Sequence, residues 1–158
     1  MTLSDWASVA EIIGSIAVVI SLVFVGLQIR KNTESEQANT LQTSVGADVE
    51  MLTAWGSTEE GAYLISQYIL DPSPLTEKQI IQARYLFAGG LRHWENLYLQ
   101  YTVGAISEDT WQARVKAVNT TLLSKGYQEF QKSFLGNYMS GDFLRYAEKI
   151  ITENQSPT

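Results

Sequence analysis

The chain of 158 residues has no cysteine, one histidine (His93) and three prolines. Without cysteine there is no disulfide framework, which fits a reducing compartment. The scarcity of soft ligands also closes off metal chemistry. A zinc site takes three or four Cys, His or acidic ligands, and a two-iron helical bundle takes two Glu-x-x-His motifs, whereas no glutamate stands three residues before His93. A nucleophile–base pair of the Ser–His or Cys–His kind has only His93 to draw on, and no serine sits in a G-x-S-x-G elbow. Phosphate loops and dinucleotide fingerprints are missing as well. These absences predict a protein that is not an enzyme and holds no metal or cofactor.

Positive charge is also in short supply. The net charge is −6, and between Asn32 and Thr76 there are seven acids (Glu34, Glu36, Asp48, Glu50, Glu59, Glu60, Asp71) with no Lys or Arg. From Glu77 onward nine basic residues face eight acidic ones. Nucleic-acid binding needs a basic stripe, so no nucleic-acid partner is expected. The acidic stretch would be repelled by an anionic leaflet. It reads either as a solvated helix face or as a surface for a basic partner. No internal repeat or low-complexity block appears, and no alternating strand or hairpin signal is found.

What the chain does have is an apolar run. Ile12 to Ile29 is eighteen residues without a charge, ending at Arg30-Lys31. A helix of that length extends about 27 Å at ~1.5 Å per residue, close to the ~30 Å hydrocarbon core of a bilayer. A cleaved leader is the first alternative, but Met1–Trp6 lacks a basic n-region and no A-x-A pattern follows the run. A buried core helix is the second, but Ile, Val, Leu and Phe cover every side, where a soluble helix keeps a polar face. The residues therefore predict a retained single-pass anchor over 1–31. Arg30 and Lys31 follow the span while Asp5 and Glu11 precede it. The positive-inside rule then places the N-terminus outside, with Trp6 at the outer interface, and leaves residues 32–158 in the cytoplasm.

Small residues recur along one side of this helix: Ala7, Ala10, Gly14, Ala17 and Ser21. Such a seam lets helices approach closely in lipid, which predicts packing against itself or a larger membrane complex. Glu11 borders the seam. It reads either as a hydrated headgroup residue or as an acid with a buried partner.

Beyond Lys31 the pattern is helical: all-α, with the anchor continuing into a small antiparallel bundle over 32–153 and a flexible tail over 154–158. No Gly or Pro interrupts Gln28 to Val45, and Leu41, Val45, Val49 and Leu52 mark a single stripe before Gly56. Ser57-Thr58-Glu59-Glu60 reads as a capping box led by Ser57, with a short helix to Leu70 that ends at Asp71-Pro72. Thr76, with Gln79 three residues on, caps a long helix to about Val103, and Gly104 supplies the left-handed stop. Ser107 opens a helix with Trp111, Val115, Val118 and Leu122 on one face, closed by Gly126. Helices over Tyr127–Leu135 and Asp142–Thr152 complete the set. Short connections favour antiparallel neighbours.

The long central helix carries the candidate polar site. Phe87, Leu91, Trp94, Tyr98 and Tyr101 share a core face. Gly89-Gly90 costs up to ~1 kcal/mol per residue against Ala in a helix interior, so it implies close approach of a neighbour or a local kink. Glu95, facing inward, needs Arg84, Arg92 or a tyrosine hydroxyl. Trp94, Glu95, Asn96, Tyr98 and Trp111 then form either a polar clamp between helices or the lining of a pocket for a small apolar or aromatic ligand. His93 is expected at the surface or rim.

Three segments carry a resemblance: Glu11 through Val19 with Gln28-Ile29-Arg30-Lys31-Asn32-Thr33, Trp94 through Gly104, and the helix start Ser107-Glu108-Asp109-Thr110-Trp111. Together they resemble a bacterial family of single-span inner-membrane proteins with a helical cytoplasmic domain and no assigned activity. The resemblance covers most of the chain. It implies an inner-membrane setting and transfers no catalytic residue. In that pattern basic residues often follow Asn32-Thr33; Glu34 and Glu36 stand here instead, which speaks against headgroup binding.

Overall fold

The computed structural model describes residues 2–155. It is all-α: α1 (Leu3–Gly56), α2 (Glu59–Leu70), α3 (Glu77–Thr102), α4 (Glu108–Leu122), α5 (Lys125–Gln131), a 3₁₀ turn (Phe134–Tyr138) and α6 (Gly141–Gln155), with no strand among the described residues. Contacts divide the chain into two units, residues 1–39 and 40–158.

In the first unit the apolar run lies on α1, the one helix among the described residues long and apolar enough to cross a membrane. None of the run is buried. Its two serines leave no hydroxyl unsatisfied: Ser15 Oγ donates to the Glu11 carbonyl and Ser21 Oγ to that of Ala17, both at 2.8 Å. Both serine hydroxyls are thereby satisfied within the helix, as a hydrocarbon surrounding requires of polar groups. Arg30 pairs with Glu34 one turn on.

In the second unit the bundle is built by its caps and its aromatic core. Thr76 and Gln79 form the reciprocal capping box at the start of α3. Ser107 and Ser124 accept from the amides three residues on and start α4 and α5. At α2 the cap is Thr58, which accepts from the Gly61 amide; the expected leader, Ser57, is displaced by one position. Gly104, at φ +74°, makes the left-handed stop after α3. Gly126 does not close α4. It lies inside α5, where a Cβ would stand 2.5 Å from the Tyr68 carbonyl oxygen. Close helix contact, not chain reversal, is what that glycine provides. The expected Tyr127–Leu135 helix is split into α5 and the 3₁₀ turn. The last helix extends past Thr152 to Gln155, so the first two residues of the expected tail are helical, and residues 156–158 lie outside the described ones.

The rings of Tyr68, Phe87 and Phe130 pack at a tilt of 58°, 5.2 and 5.7 Å between centres, and join α2, α3 and α5. At the other end of α3, Tyr98 meets Trp111, Phe143 and Tyr146, joining α3, α4 and α6. Leu91, Val118 and Ala147 are fully buried between these clusters' helices.

Candidate functional site

Two ionic clamps fix the bundle. The first is centred on Asp48, on the last part of α1. One carboxylate oxygen meets His93 Nε2 of α3 at 2.6 Å. The other accepts from Arg114 Nε and Nη2 of α4 at 3.2 and 2.9 Å. Arg114 also donates to the Thr110 carbonyl. Both guanidinium donors converge on one carboxylate oxygen, which leaves the other for His93. His93 is therefore not a rim residue: its side chain is 8 % exposed, against the Trp94 ring. Nothing in the sequence pairs Asp48 with partners 45 and 66 positions away.

The second clamp is centred on Glu95, the most deeply buried charged residue of the described chain at 2 % exposure. It takes the Arg92 guanidinium and the Ser140 amide. Arg92 also donates to the Tyr138 carbonyl at 3.0 Å, and Ser140 Oγ accepts from the Phe143 amide. The clamp thus ties the 3₁₀ turn and the first turn of α6 to α3. Arg84, the other arginine considered for Glu95, pairs instead with Glu129 of α5. Asn96 is exposed.

The remaining members of the expected constellation separate. Tyr98 and Trp111 are packed in the aromatic cluster: the Tyr98 and Tyr146 rings stack at 4.7 Å, and Tyr101 lies flat on Trp111 at 5.2 Å. Burial pushes the Tyr146 hydroxyl up to about 12, helped by the neighbouring Tyr98, and the hydroxyl donates to Asn119 Oδ1 at 2.6 Å. At the edge of the cluster the Tyr101 hydroxyl donates to Glu108 at 2.6 Å. That bond holds the Glu108 carboxyl below its usual range and raises Tyr101.

Trp94 faces elsewhere. With Met51, Leu52, Trp55, Ile69 and Ala117 it lines an open groove of about 850 Å³, bordered by Asp48, Arg114 and Lys116. The Trp94 indole N–H is buried without an acceptor, whereas Trp55 donates to the Leu86 carbonyl at 3.2 Å. Trp55 also explains half of the glycine pair. A Cβ on Gly90 would stand 2.3 Å from its ring, while one on Gly89 would meet nothing within 4 Å. Close approach holds for Gly90, and α3 runs unbroken through both. A tryptophan just before the Gly56 break was the sequence signal for this contact.

In the first unit Trp6, Ala7, Ala10, Gly14, Ala17, Ser21, Arg30 and Lys31 are all exposed, and no side chain comes within 4 Å of the Cβ position at Gly14. Among the described residues no group of three or more His, Cys, Asp or Glu is arranged to hold a metal ion. Comparison of the chain with protein-family models, curated proteins and solved structures gives no match.

Proposed function

We propose that this is a non-enzymatic, single-pass protein of a bacterial inner membrane, N-terminus outside and bundle in the cytoplasm. In this reading it is an accessory or scaffold subunit whose span packs through Ala7, Ala10, Gly14, Ala17 and Ser21 against itself or a larger membrane complex. The observation that carries the reading is the run from Ile12 to Ile29, uncharged, with no buried residue and its serine hydroxyls bonded to their own helix. In water such a surface would be an aggregation site; in hydrocarbon it is at rest. Arg30 and Lys31 support the orientation.

The test is carbonate extraction of native membranes combined with single-cysteine labelling, which the cysteine-free sequence makes clean. Full-length protein stays in the pellet, and an impermeant maleimide labels Ser4→Cys but not Thr152→Cys from outside. Gly14→Ile and Ala17→Ile lower co-purification of the assembly. Release into the carbonate supernatant rejects the anchor, and unchanged co-purification rejects the seam.

The groove favours a second reading, a membrane-tethered sensor for a small apolar or aromatic ligand. Its volume falls in the range of small-molecule sites, and two tryptophans line it. Naphthalene then quenches or shifts tryptophan fluorescence saturably, and Trp94→Ala removes the response in a protein that keeps its helical content. A linear, non-saturating response, unchanged in Trp94→Ala, rejects it.

A further inference from the structure

We infer that residues 41–52 of α1 form a second, aqueous self-association surface: a parallel contact between two copies of the chain through Leu41, Val45, Val49 and Leu52. The inference rests on the membrane reading above for the parallel arrangement of the copies, and on the structure of the bundle for the surface itself.

This part of α1 has two distinct faces. Ser44, Asp48, Met51 and Trp55 turn toward α3 and α4 through the Asp48 clamp and the Trp55–Gly90 contact. Leu41, Val45, Val49 and Leu52 lie about 100° further round the helix, at ~100° per residue, and remain 40–59 % exposed with the bundle fully folded. Spacings of four, four and three align them as one stripe. The bundle does not cover it. Nor is lipid its natural cover, because Arg30, Lys31, Glu34 and Glu36 separate it from the apolar run. A contiguous row of Leu and Val exposed to water is the mark of an interaction surface.

The occupant follows from charge and confinement. In a parallel symmetric pair every residue stands beside its own copy, so any charge next to the seam meets a like charge. Residues 37–47 carry none, and Asp48, the first to follow, is already neutralised by Arg114 within its own chain. Glu50 lies on the side of the helix away from the stripe. Like-on-like pairing is therefore unopposed along the seam, whereas a partner recognised by charge would find nothing to read. Copies held in one membrane meet in parallel at high effective concentration, so a short seam of four residues is sufficient where it would be marginal in solution.

Single cysteines read this directly. A disulfide needs Cα atoms within about 7 Å, so only positions that face their own copy link. Full-length Leu41→Cys, Val45→Cys, Val49→Cys and Leu52→Cys, oxidised in native membranes with copper phenanthroline, give a disulfide dimer. Thr43→Cys, Glu50→Cys and Ala54→Cys, exposed and about 145–185° round the helix from the stripe at ~100° per residue, give at least about fivefold less, the change expected for roughly 1 kcal/mol of pairing preference. Adding Val45→Asp lowers linking of Leu52→Cys by a similar factor, with the far-ultraviolet dichroism unchanged. Equal linking at all seven positions, or stripe cysteines linking to a different polypeptide rather than to this chain, overturns the inference. The distribution of the chain between pellet and supernatant is scored on the same samples. Chain in the supernatant that still links with the stripe profile sinks the membrane reading and leaves the contact standing.

Discussion

Apolar side chains are abundant in both units of this protein, and they meet opposite fates. In residues 1–39 Ile13, Val19, Leu22 and Phe24 stand more than half exposed on a single helix. In residues 40–158 Tyr68, Leu91, Val118, Phe143 and Ala147 have no accessible surface at all. Hydrophobicity alone does not separate them. What does is periodicity and punctuation. The bundle's apolar residues recur on one face of helices that are capped at Thr58, Thr76, Ser107 and Ser124 and broken at Gly56, Asp71-Pro72 and Gly104. The chain can thus fold back and cover its own faces. The run from Ile12 to Ile29 is apolar all round and has no break, so nothing within the unit turns back onto it.

The widest gap between the two regions is opened by a core truncation. Phe87 touches both Tyr68 and Phe130, and burying it joins three helices. Phe87→Ala costs about 3–5 kcal/mol, enough to melt a marginal bundle well below the wild-type temperature in differential scanning calorimetry. The carbonate-resistant fraction is unchanged, because no residue of the run takes part in that core. Equal loss of both properties would mean that the two regions do not behave separately.

A smaller effect comes from the adjacent glycines of α3. Gly90→Ala forces a methyl group into the Trp55 ring, and overpacking of this kind costs about 1–3 kcal/mol. Gly89→Ala enters open space and gains up to about 1 kcal/mol from helix propensity. Thermal melts of the two variants therefore move in opposite directions. Shifts of the same sign would show that the last turns of α1 are not seated on α3.

These residues also show how far the sequence was legible. Element order, the breaks and most caps follow from local chemistry, because a cap or a stop is written within four residues. The Thr76–Gln79 box and Gly104 were readable for that reason. Glu95 was readable as a residue needing internal partners, since Arg92 lies one turn before it. Asp48 was not: it lies beside the Leu41–Val45–Val49–Leu52 stripe as one more acid of a stretch without Lys or Arg, and its partners on α3 and α4 become neighbours only through tertiary packing. Gly126 misled for the opposite reason. A glycine after a helix reads as a stop, but Ser124 had already started the next helix, and the glycine serves the contact with Tyr68. Trp94, Tyr98 and Trp111 share a helical face or a neighbouring one. Their division between a groove and an aromatic cluster depends on where α6 delivers Phe143 and Tyr146, which no local pattern encodes.

The mildest probe separates the regions by pH. Tyr146 is held neutral up to about 12 by burial beside Tyr98. Burial likewise raises Tyr68 and Tyr127, while the hydrogen bond to Glu108 raises Tyr101. All four belong to the bundle. In the unfolded chain a tyrosine ionises near 10. A group whose folded pKa is raised contributes stability that is complete below the unfolded value and is lost as pH climbs toward the folded one. The bundle's melting temperature is therefore flat with respect to these groups from neutral pH to about 9, then falls steeply between about 10 and 12. Tyr146→Phe removes the largest of the shifts and moves the alkaline limb to higher pH, at a modest cost from the lost Asn119 bond. The apolar run contains no tyrosine, so its partition across the same range stays constant, and an alkaline release that tracks unfolding of the bundle would erase the distinction between the two units.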